Sequence, residues 1–446
     1  MSLPRYSEYK DSGVEWLGEI PMHWDVVRYK NVFKERDERS ADGSETLLSV
    51  SAYTGVSPRS EIIEAGEYLS RAESLEGYKV CHPDDLVMNI MLAWNRGLGV
   101  TRHHGIVSPA YSVFQVTNDA DPKFLDYMMR SDQITLYYKA FSSGVIDSRL
   151  RLYPDTFGSM FCVLPPSTEQ VAIATFLDRE TAKIDALIVE QEKLLALLAE
   201  KRQATISHAV TRGLDPNVPM KDSGIPWLGQ VPANWKVTKC GRFTSILSGF
   251  AFPSSGFNHE GEGIRLLRGV NVGVSTLRWD DVVYWERRRG DGLDEYELKV
   301  GDLVIGMDRP LIAAGIRVAK VGEPDVPCLL LQRVALLRTS VALNSDLLMH
   351  FLSAPMFVAH FSPETTGVSV PHISPEQIAS FVIAVPPIGE QERIVQFLAE
   401  ELDRLSVLST NVTKAIDLLK ERRSALIAAA VTGQIDVRGA VEGMAA

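Results

Sequence analysis

The chain is poor in the features that mark secreted, membrane-spanning or zinc-binding proteins. It has four cysteines among 446 residues, far apart and without a C-x-x-C pair: Cys81, Cys162, Cys240 and Cys328. We expect free, buried thiols in a reducing compartment. No apolar run reaches about eighteen residues, the length a membrane span requires, and the first ten residues, MSLPRYSEYK, lack an apolar signal segment. Export and membrane insertion are therefore not expected, and the cytoplasm is the predicted location.

The chain also has fewer basic than acidic residues. Lysine and arginine total 46 against 57 aspartate and glutamate, a formal net charge of −11. This excludes a uniformly basic surface but not a local one, because affinity for nucleic acid depends on where the cations lie. One segment is rich in arginine, although acids are interspersed: Arg265, Arg268, Arg278, Arg287, Arg288, Arg289, Arg309, Arg317, Arg333 and Arg338.

Catalytic motifs are missing as well. The sequence has no G-x-x-x-x-G-K-[ST] phosphate loop, no dinucleotide-binding glycine pattern, no H-E-x-x-H and no G-x-S-x-G. Its two Pro-Pro pairs lack the surroundings that amino-methyltransferases use to hold a flipped base. The only histidine pair is His103-His104, and neighbours on a strand point to opposite faces, which is poor metal-ligand geometry. We expect no catalytic residues, no metal site and no cofactor in this chain.

What the chain does contain is a repeat. The stretch KDSGVEWLGEIPMHW at 10–24 returns as KDSGIPWLGQVPANW at 221–235, and LPPSTEQ at 164–170 returns as VPPIGEQ at 385–391. A long-period repeat fixes the architecture, so it takes precedence over local patterns. The sequence predicts two copies of one arrangement, and a doubled protein is suited to a target that itself has two parts.

Each copy has three segments. The first is the tryptophan- and proline-containing motif, which we call the clasp and expect to be packed and non-helical. The second is a body with strand patterns at 47–50, 85–90 and 111–116 in one copy and at 264–267, 302–305 and 333–337 in the other. Each body also has one helical pattern, at 122–138 or 345–361. We predict α/β or α+β globules with a mixed sheet.

The third segment of each copy is a long helix, predicted at 168–211 and 389–432. Apolar residues recur in heptads over both. Position a takes Leu177, Ile184, Gln191, Leu198, Leu398, Leu405, Val412 and Leu419, and position d takes Leu187, Leu194, Leu408 and Ala415. The pattern predicts two antiparallel coiled-coil helices that hold the globules apart like a dumbbell. The alternative is a simple dimerisation stalk.

Several polar loop residues have the side chains that read base edges. Asparagine pairs with adenine and arginine with guanine in the major groove. The predicted contacts in the first body are Asn89, Trp94, Asn95, Arg96, Ser143 and Arg149. Those in the second body are Arg268, Asn271, Arg309, Ser369 and His372.

Together, the two clasps, the two P-P-x-x-E-Q helix starts and the run D-L-V-M-N…W-N-R-G-L-G-V-T…G-I-V-S-P-A-Y at 85–111 give a specific resemblance. The chain resembles the specificity (S) subunit of type I DNA restriction–modification systems, over essentially its whole length. The resemblance implies a clasp and first target-recognition domain at 1–165, a first spacer helix at 166–215, a clasp and second target-recognition domain at 216–387, and a second spacer helix with a tail at 388–446.

The resemblance also implies a role in host defence through DNA methylation and restriction. Each recognition domain would read one half of a bipartite double-stranded DNA target, and the helices would set the spacer between the halves. Two methyltransferase subunits would dock, and restriction subunits would join them, bringing S-adenosylmethionine, ATP and Mg²⁺. The expected docking residues are Trp16, Leu17, Glu169, Gln170, Trp227, Leu228, Glu390 and Gln391.

The second body departs from the first, because Asp308-Arg309-Pro310 stands where the first has Trp94-Asn95-Arg96-Gly97. The two halves are therefore expected to read different sequences. Two alternatives remain at this point. One is a protein-interaction scaffold without DNA specificity, and the other is an enzyme, such as a nuclease, with an unrecognised site.

Overall fold

The computed structural model describes residues 4–15, 17–52, 54–61, 74–117, 119–146, 149–365 and 371–442. Its contacts divide the chain into two compact units, Met1–Glu192 with Lys414–Ala446, and Lys193–Thr413. Each unit contains one globule and part of both long helices. The four segment boundaries given above stay predictions.

The elements of the first globule precede the first long helix. Its described strands are β1 (Tyr9–Asp11), β2 (Glu19–Pro21), β3 (Asp25–Arg28), β4 (Phe33–Arg36), β5 (Leu48–Ser51), β6 (Gly55–Pro58), β7 (Lys79–Cys81), β8 (Leu86–Asn89), β9 (Leu98–Val100), β10 (Gly105–Val107), β11 (Tyr111–Val116) and β12 (Phe161–Leu164). Its helices are α1 (Pro122–Met129), α2 (Asp132–Phe141) and α3 (Pro154–Ser159), and the long helix α4 is Ser167–Arg212.

The second half repeats this plan with additions. Its strands are β13 (Met220–Asp222), β14 (Gln230–Pro232), β15 (Lys236–Lys239), β16 (Thr244–Ser248), β17 (Ile264–Leu267), β18 (Tyr284–Trp285), β19 (Leu303–Gly306), β20 (Leu311–Ile312), β21 (Gly315–Ile316), β22 (Val318–Lys320), β23 (Cys328–Leu330), β24 (Val334–Thr339) and β25 (Val382–Val385). Its helices are α5 (Ser345–Ser353), α6 (Pro355–Thr365), α7 (Pro375–Ser380), the long helix α8 (Ile388–Val431) and α9 (Arg438–Glu442).

Each clasp is a small antiparallel hairpin, β1–β2 or β13–β14. The repeated letters D-S-G explain the turn. The Asp11 carboxylate accepts a hydrogen bond from the Gly13 amide (2.9 Å), and Gly13 has a φ of +66° that favours glycine. The same bond joins Asp222 to Gly224 at 3.0 Å. The tryptophan that ends each motif is buried, as the packed, non-helical prediction requires.

One four-stranded antiparallel sheet is common to both globules. The strand order is β4-β11-β8-β9 in the first and β16-β24-β19-β22 in the second. A two-stranded pair, β3–β12 or β15–β25, leads from the clasp into the long helix. The second globule has a mixed sheet, in which β17 pairs with β18 antiparallel and with β23 parallel. In the described part of the first globule the strand pairs are antiparallel, and parallel pairing is limited to an isolated bridge between Leu47 and Ile106. A mixed sheet with a parallel strand pair is therefore described in the second globule only.

The predicted single helices at 122–138 and 345–361 are each two helices. In the first globule the chain breaks at Arg130 and Ser131, where Ser131 is extended (φ −69°, ψ 153°) and precedes α2. In the second the break falls at Ala354, directly before Pro355. The residue before a proline disfavours the helical region, which accounts for this break.

The long helices pack antiparallel within each unit. In the first unit Ile173 and Leu177 of α4 share a core with Ala430 and Val431 of α8. In the second unit the two opposite ends lie together, since a Cβ on Gly213 would stand 3.3 Å from the Glu390 carboxylate. The predicted helix ends agree with the structure to within one residue.

The predicted seam is half wrong. The residues placed at position a are mostly buried, but Leu187, Leu194 and Leu408 at position d are exposed. The buried partners of position a are Leu402 and Ile416, which lie four residues after Leu398 and Val412. The seven-residue period is therefore confirmed, but the second buried row lies four residues after position a, at position e, and not at position d.

The four cysteines are free and buried, as predicted. Burial raises the pKa of each thiol, to about 12 for Cys81 and Cys328 and about 11 for Cys240. Such thiols stay protonated and unreactive at neutral pH. No described helix carries an apolar stretch long enough to cross a membrane.

Candidate nucleic-acid interface

The loop between β8 and β9 carries the predicted contacts of the first globule. Gly97 closes it tightly, because its amide bonds the Leu92 carbonyl at 2.8 Å and a Cβ there would lie 2.5 Å from the Leu92 side chain. Trp94 donates from its indole nitrogen to the Met91 carbonyl (2.9 Å). Asn95 is exposed at the tip. The fold thus presents an indole and an amide on a short, rigid loop.

Arg96 ends this loop in the left-handed conformation, with a φ of +58°. Its guanidinium is paired with the Asp132 carboxylate at the start of α2. Positive φ is costly for a non-glycine residue, on the order of 1–3 kcal/mol, and tends to occur at functional sites. The loop therefore holds Arg96 at a defined place instead of leaving it on a free tether.

Other predicted contacts of this globule differ in accessibility. Asn89 is buried, and its side-chain oxygen accepts from the Met91 amide at 3.0 Å. Asn89 therefore stabilises the start of the loop from inside the globule. Ser143 and Arg149 are exposed on the turn after α2. Backbone pairing between Ser143 and Arg151, 2.9 Å in both directions, holds that turn.

In the second globule the loop after β17 is held by its own side chains. Asn271 is buried, accepts from the Arg268 amide (3.0 Å) and donates to the Arg278 and Asp281 carbonyls (2.9 Å each). Arg268 in turn binds the Asp281 carboxylate at 2.6 Å. Asn271 therefore positions the loop from inside the protein and has no face left for a base edge.

The second globule gathers arginines around one cavity of about 390 Å³. Arg309 and Arg333 lie on its exposed rim, with φ of +46° and +68°. Three of the five described non-glycine residues with positive φ are Arg96, Arg309 and Arg333. The cavity lining includes Arg268, Asp308, Arg309, Arg317 and Arg333.

Asp308 is the anion at the centre of this cluster. Its carboxylate accepts from His372 Nδ1 at 2.7 Å and from Arg333 at 2.9 Å. Although partial burial opposes it, the hydrogen bond from His372 and the charge of Arg333 hold the pKa of Asp308 below its usual range. The carboxylate thus stays ionised and holds the side chains of Arg333 and His372 beside it. Ser369 lies outside the described residues.

Sequence patterns point to Asp308, Arg309 and His372, but they do not select Arg317 or Arg333 as members of the same site. Arg317 lies between β21 and β22, and Arg333 directly precedes β24. Only the pairing of β19 with both β22 and β24 brings these distant residues together. In the sequence they were visible only as part of an arginine-rich segment.

No family model matches the chain, but individual relatives do. It is 29% identical over 240 residues to the type I restriction enzyme EcoAI specificity subunit of Escherichia coli, covering 54% of this chain and 40% of that protein. It is 25% identical over 430 residues to the type I restriction enzyme MjaVIII specificity subunit of Methanocaldococcus jannaschii, covering 94% of each. The chain is similar to type I restriction enzyme specificity subunits over nearly its whole length.

Solved structures agree on the fold. A chain from work on complex assembly and conformational transition of the type I R-M system has a TM-score of 0.65 at 20% identity, over 92% of this chain and 98% of that one. The HsdS subunit from Thermoanaerobacter tengcongensis has a TM-score of 0.53 at 19% identity, over 93% and 98%. The mixed α/β architecture with two long packed helices is thus that of the specificity-subunit fold.

The glutamine of each P-P-x-x-E-Q motif joins its long helix to the globule. Gln170 is buried, accepts from the Asp121 amide at 2.8 Å and donates to the Pro165 carbonyl at 2.7 Å. Gln391 does the same with Asn344 (2.8 Å) and Pro386 (2.9 Å). Each glutamine locks its long helix onto the N-cap of α1 or α5. Both glutamines were predicted to contact a partner, but their side chains are buried in this structure.

The preceding glutamate differs between the copies. Glu169 is buried and accepts from Tyr6, from the Trp24 indole (3.0 Å) and from His23 (2.8 Å). Glu390 is partly exposed and accepts from Asn234 at 3.3 Å. Of the predicted docking residues, Glu390 is therefore accessible to a partner and Glu169 is not.

The leucines of the clasps are also internal. Leu17 and Leu228 are buried, and Trp227 stacks on Phe381 with ring centroids 5.1 Å apart. Trp16 lies outside the described residues. Exposed apolar side chains occur instead on the long helices, which adds an unpredicted set of candidate docking residues: Leu187, Leu194, Leu197, Phe397, Val407, Leu408 and Leu418.

Among the described residues no group of three or more histidine, cysteine, aspartate or glutamate side chains is arranged to hold a metal ion.

Proposed function

We propose that this chain is the DNA-reading, noncatalytic subunit of a type I restriction–modification system, and that each globule reads one half of a bipartite target. The observation that carries the proposal is a matched pair of loops. The loop after β8 and the loop after β19 leave equivalent strands of the shared sheet, and each holds an arginine at positive φ, Arg96 or Arg309. Arginine is the commonest reader of guanine in the major groove.

The local charge supports this assignment despite the net −11 of the whole chain. Around the second loop four arginines face one carboxylate, that of Asp308, in a single cavity. Affinity for DNA rests on such local cations. Partner subunits contribute the remaining positive charge of the DNA channel in this proposal.

The same proposal assigns catalysis to the partners, in the cytoplasm. Two methyltransferase subunits bring S-adenosylmethionine, and restriction subunits bring ATP and Mg²⁺. The exposed leucines of α4 and of α8 are assigned to docking of the methyltransferase subunits, because large apolar side chains left in water become buried when a partner covers them. The relatives' names support a specificity role, and one solved structure concerns complex assembly in such a system.

The decisive experiment maps methylation in cells that express the chain with its methyltransferase subunit. We expect one asymmetric motif of two defined halves around an unspecified spacer. Arg96→Ala is expected to relax one half and Arg309→Ala the other, each by about tenfold in discrimination, which is the size of one arginine–guanine contact. Arg289→Ala, an exposed arginine outside both loops, serves as the control and should leave the motif unchanged.

The alternatives give different results. A scaffold without DNA specificity would show no motif, and the complex would not shift specific DNA in a gel at either of two salt concentrations. A nuclease would cut DNA when the purified chain alone receives Mg²⁺ and ATP. Either result, or methylation that persists when this gene is deleted, would overturn the proposal.

A further inference from the structure

The two reading loops differ in one respect that sequence comparison of the copies does not reveal. In the first globule the connection from β8 to β9 is the compact turn at 90–97. In the second, the connection from β19 to β22 contains an extra two-stranded ribbon, in which Leu311 pairs with Ile316 and Ile312 with Gly315. We call residues 311–316 the ribbon.

The base of the ribbon is firmly held. Ile316 is buried, and the Arg317 guanidinium donates to the carbonyls of Val272 and Asp308 at 3.0 Å each. The Arg317 amide closes the base by bonding the Pro310 carbonyl at 2.8 Å. Arg317 is thus committed to backbone acceptors within the protein, so it anchors the ribbon and does not reach outward.

The rest of the ribbon is apolar and exposed, including Leu311, which pairs with Ile316 at the base. Leu311 and Ile312 are 48% and 38% exposed, and the tip residues Ala313 and Ala314 are exposed as well. In the free protein these four aliphatic side chains face water and add nothing to stability. Covering them with a ligand would be favourable, because it removes apolar surface from water.

The surroundings of the ribbon indicate what that ligand is. Arg309 directly precedes the ribbon and is exposed, and the Arg333 side chain, 70% exposed, lies beside it on the rim of the same cavity. Aliphatic side chains flanked by fixed arginines match one surface well, the floor of the DNA major groove. There thymine presents its methyl group and guanine presents two acceptors, and the groove is wide enough for a two-stranded ribbon.

We propose that the ribbon of the second globule enters the major groove and reads thymine through contact of its aliphatic side chains with the C5 methyl group, while Arg309 and Arg333 contact the neighbouring guanine or phosphates. This inference rests on the proposed function and deepens it. It commits the second half-site to at least one A·T pair, and it makes Leu311, Ile312, Ala313 and Ala314 determinants of specificity. The first globule, with no such ribbon among its described residues, reads through Trp94, Asn95 and Arg96 instead.

The experiment removes one methyl group at a time. The complex of this chain with its methyltransferase subunit is titrated with duplexes in which a single thymine of the second half-site is replaced by deoxyuridine, which pairs identically but lacks the methyl group. At one position or more, binding is expected to weaken about fourfold, the effect of losing one buried methyl-sized group. In the double variant Leu311→Ala with Ile312→Ala, thymine and deoxyuridine duplexes should bind equally.

Two controls separate this effect from general damage. Val341→Ala removes an aliphatic side chain that is 100% exposed elsewhere on the same globule, and it should retain the fourfold difference. Deoxyuridine in the first half-site should have the same effect on the wild-type protein and on the ribbon variant.

The outcomes distinguish this proposal from the proposed function. If a split motif is found but its second half has no A·T pair, or no deoxyuridine in it weakens binding, the ribbon proposal is wrong while the proposed function stands. If the ribbon variant keeps its preference for thymine but loses the methyltransferase subunit, the ribbon is a protein-docking element. If no motif is found at all, the proposed function fails and this inference fails with it.

Discussion

Gln170 and Gln391 show what a single repeated residue does in this protein. Each is the last residue of its P-P-x-x-E-Q motif, lies in the first turn of the long helix and is buried. The side-chain oxygen and nitrogen of each glutamine both bond the backbone. The oxygen accepts from the backbone N–H of the N-cap residue of a neighbouring helix, Asp121 or Asn344. Because these partners are fixed by tertiary contact, the glutamines join the globule to the long helix in the same way twice.

Replacing either glutamine with alanine is expected to destabilise its unit by about 1–3 kcal/mol, because partly buried backbone groups lose their partners. The loss should be at least as large for Gln391, since its amide also donates to the Ala342 carbonyl at 3.0 Å. Urea unfolding followed by circular dichroism measures them. Gln396→Ala, an exposed position on the same helix as Gln391, should change stability by less than about 0.5 kcal/mol. Equal effects of Gln391→Ala and Gln396→Ala would contradict the structural role.

His350 makes the stability of the second unit depend on pH. Burial lowers the pKa of His350 to about 4, and the charge of Arg202 adds to this while Asp346 opposes it. In the unfolded chain a histidine titrates near pH 6.5. Between these values only the unfolded state takes up the proton, so stability is full above about pH 6.5 and falls as the pH drops toward 4.

The His350→Gln variant should lack this part of the pH dependence. Unfolding by urea at pH 7.5 and pH 5 should show a loss in wild type that exceeds the loss in the variant, by on the order of 1–2 kcal/mol after allowance for partial exposure. His259→Gln, at an exposed histidine of the same globule, should behave as wild type. An identical pH profile for wild type and His350→Gln would rule the effect out.

The residues of the site could be predicted only where they share one stretch of chain. Trp94, Asn95 and Arg96 form a single loop, so their composition was enough to select them. Asn89 and Asn271 have the same side chain as Asn95, yet both are buried and bond the backbone. Burial depends on which strands pair, and a sequence pattern for a polar loop does not carry that information.

At the scale of the elements, the long helices were the most predictable part. Their pattern runs over many turns, and a Pro-Pro pair stands just before each start, so both ends were found closely. The short helices were predicted as single segments because the apolar period continues across the break. Pro355 was a visible signal for one break, whereas the break at Ser131 follows from an extended backbone that its sequence does not require.

The corrected seam leads to a prediction on one helix. Leu398 is fully buried and Leu408 is 49% exposed, although the heptad pattern made both of them core positions. Leu398→Ala is expected to cost about 2–5 kcal/mol and Leu408→Ala less than about 1 kcal/mol. Urea unfolding of the two variants measures the difference. Comparable losses of unfolding free energy in the two variants would show that Leu408 is a core residue.

At the scale of the whole molecule, the repeat separates two tasks. The clasps, the P-P-x-x-E-Q junctions and the helices are alike in both copies, and their glutamines make similar contacts, whereas Glu169 and Glu390 differ. The globules share a four-stranded sheet but differ in the strands around it, and the ribbon is found in the described residues of the second only. This division agrees with the proposed function, in which two different readers are joined to one kind of partner.

If the helices set the distance between the half-sites, lengthening both should lengthen the spacer of the motif. Seven residues inserted after Leu195 and after Val412 add about 10 Å of helix, equivalent to about three base pairs. Methylation mapping should then show the same two half-sites farther apart. An insertion in one helix alone breaks the match between the antiparallel partners and should reduce methylation without producing a new spacer. An unchanged motif after the paired insertion would refute the ruler.

The sequence by itself determined the duplication, the two long helices, the clasps and the family, because these depend on local period and on repeated motifs. The tertiary structure decided which apolar row of each helix is buried, which asparagines are structural, and that Asp308, Arg317 and Arg333 share one cavity. The physical reason is that burial and side-chain pairing depend on contacts between residues far apart in the chain. The ribbon is the clearest case, since its role follows from the exposed end that the anchored strands leave beside the arginines.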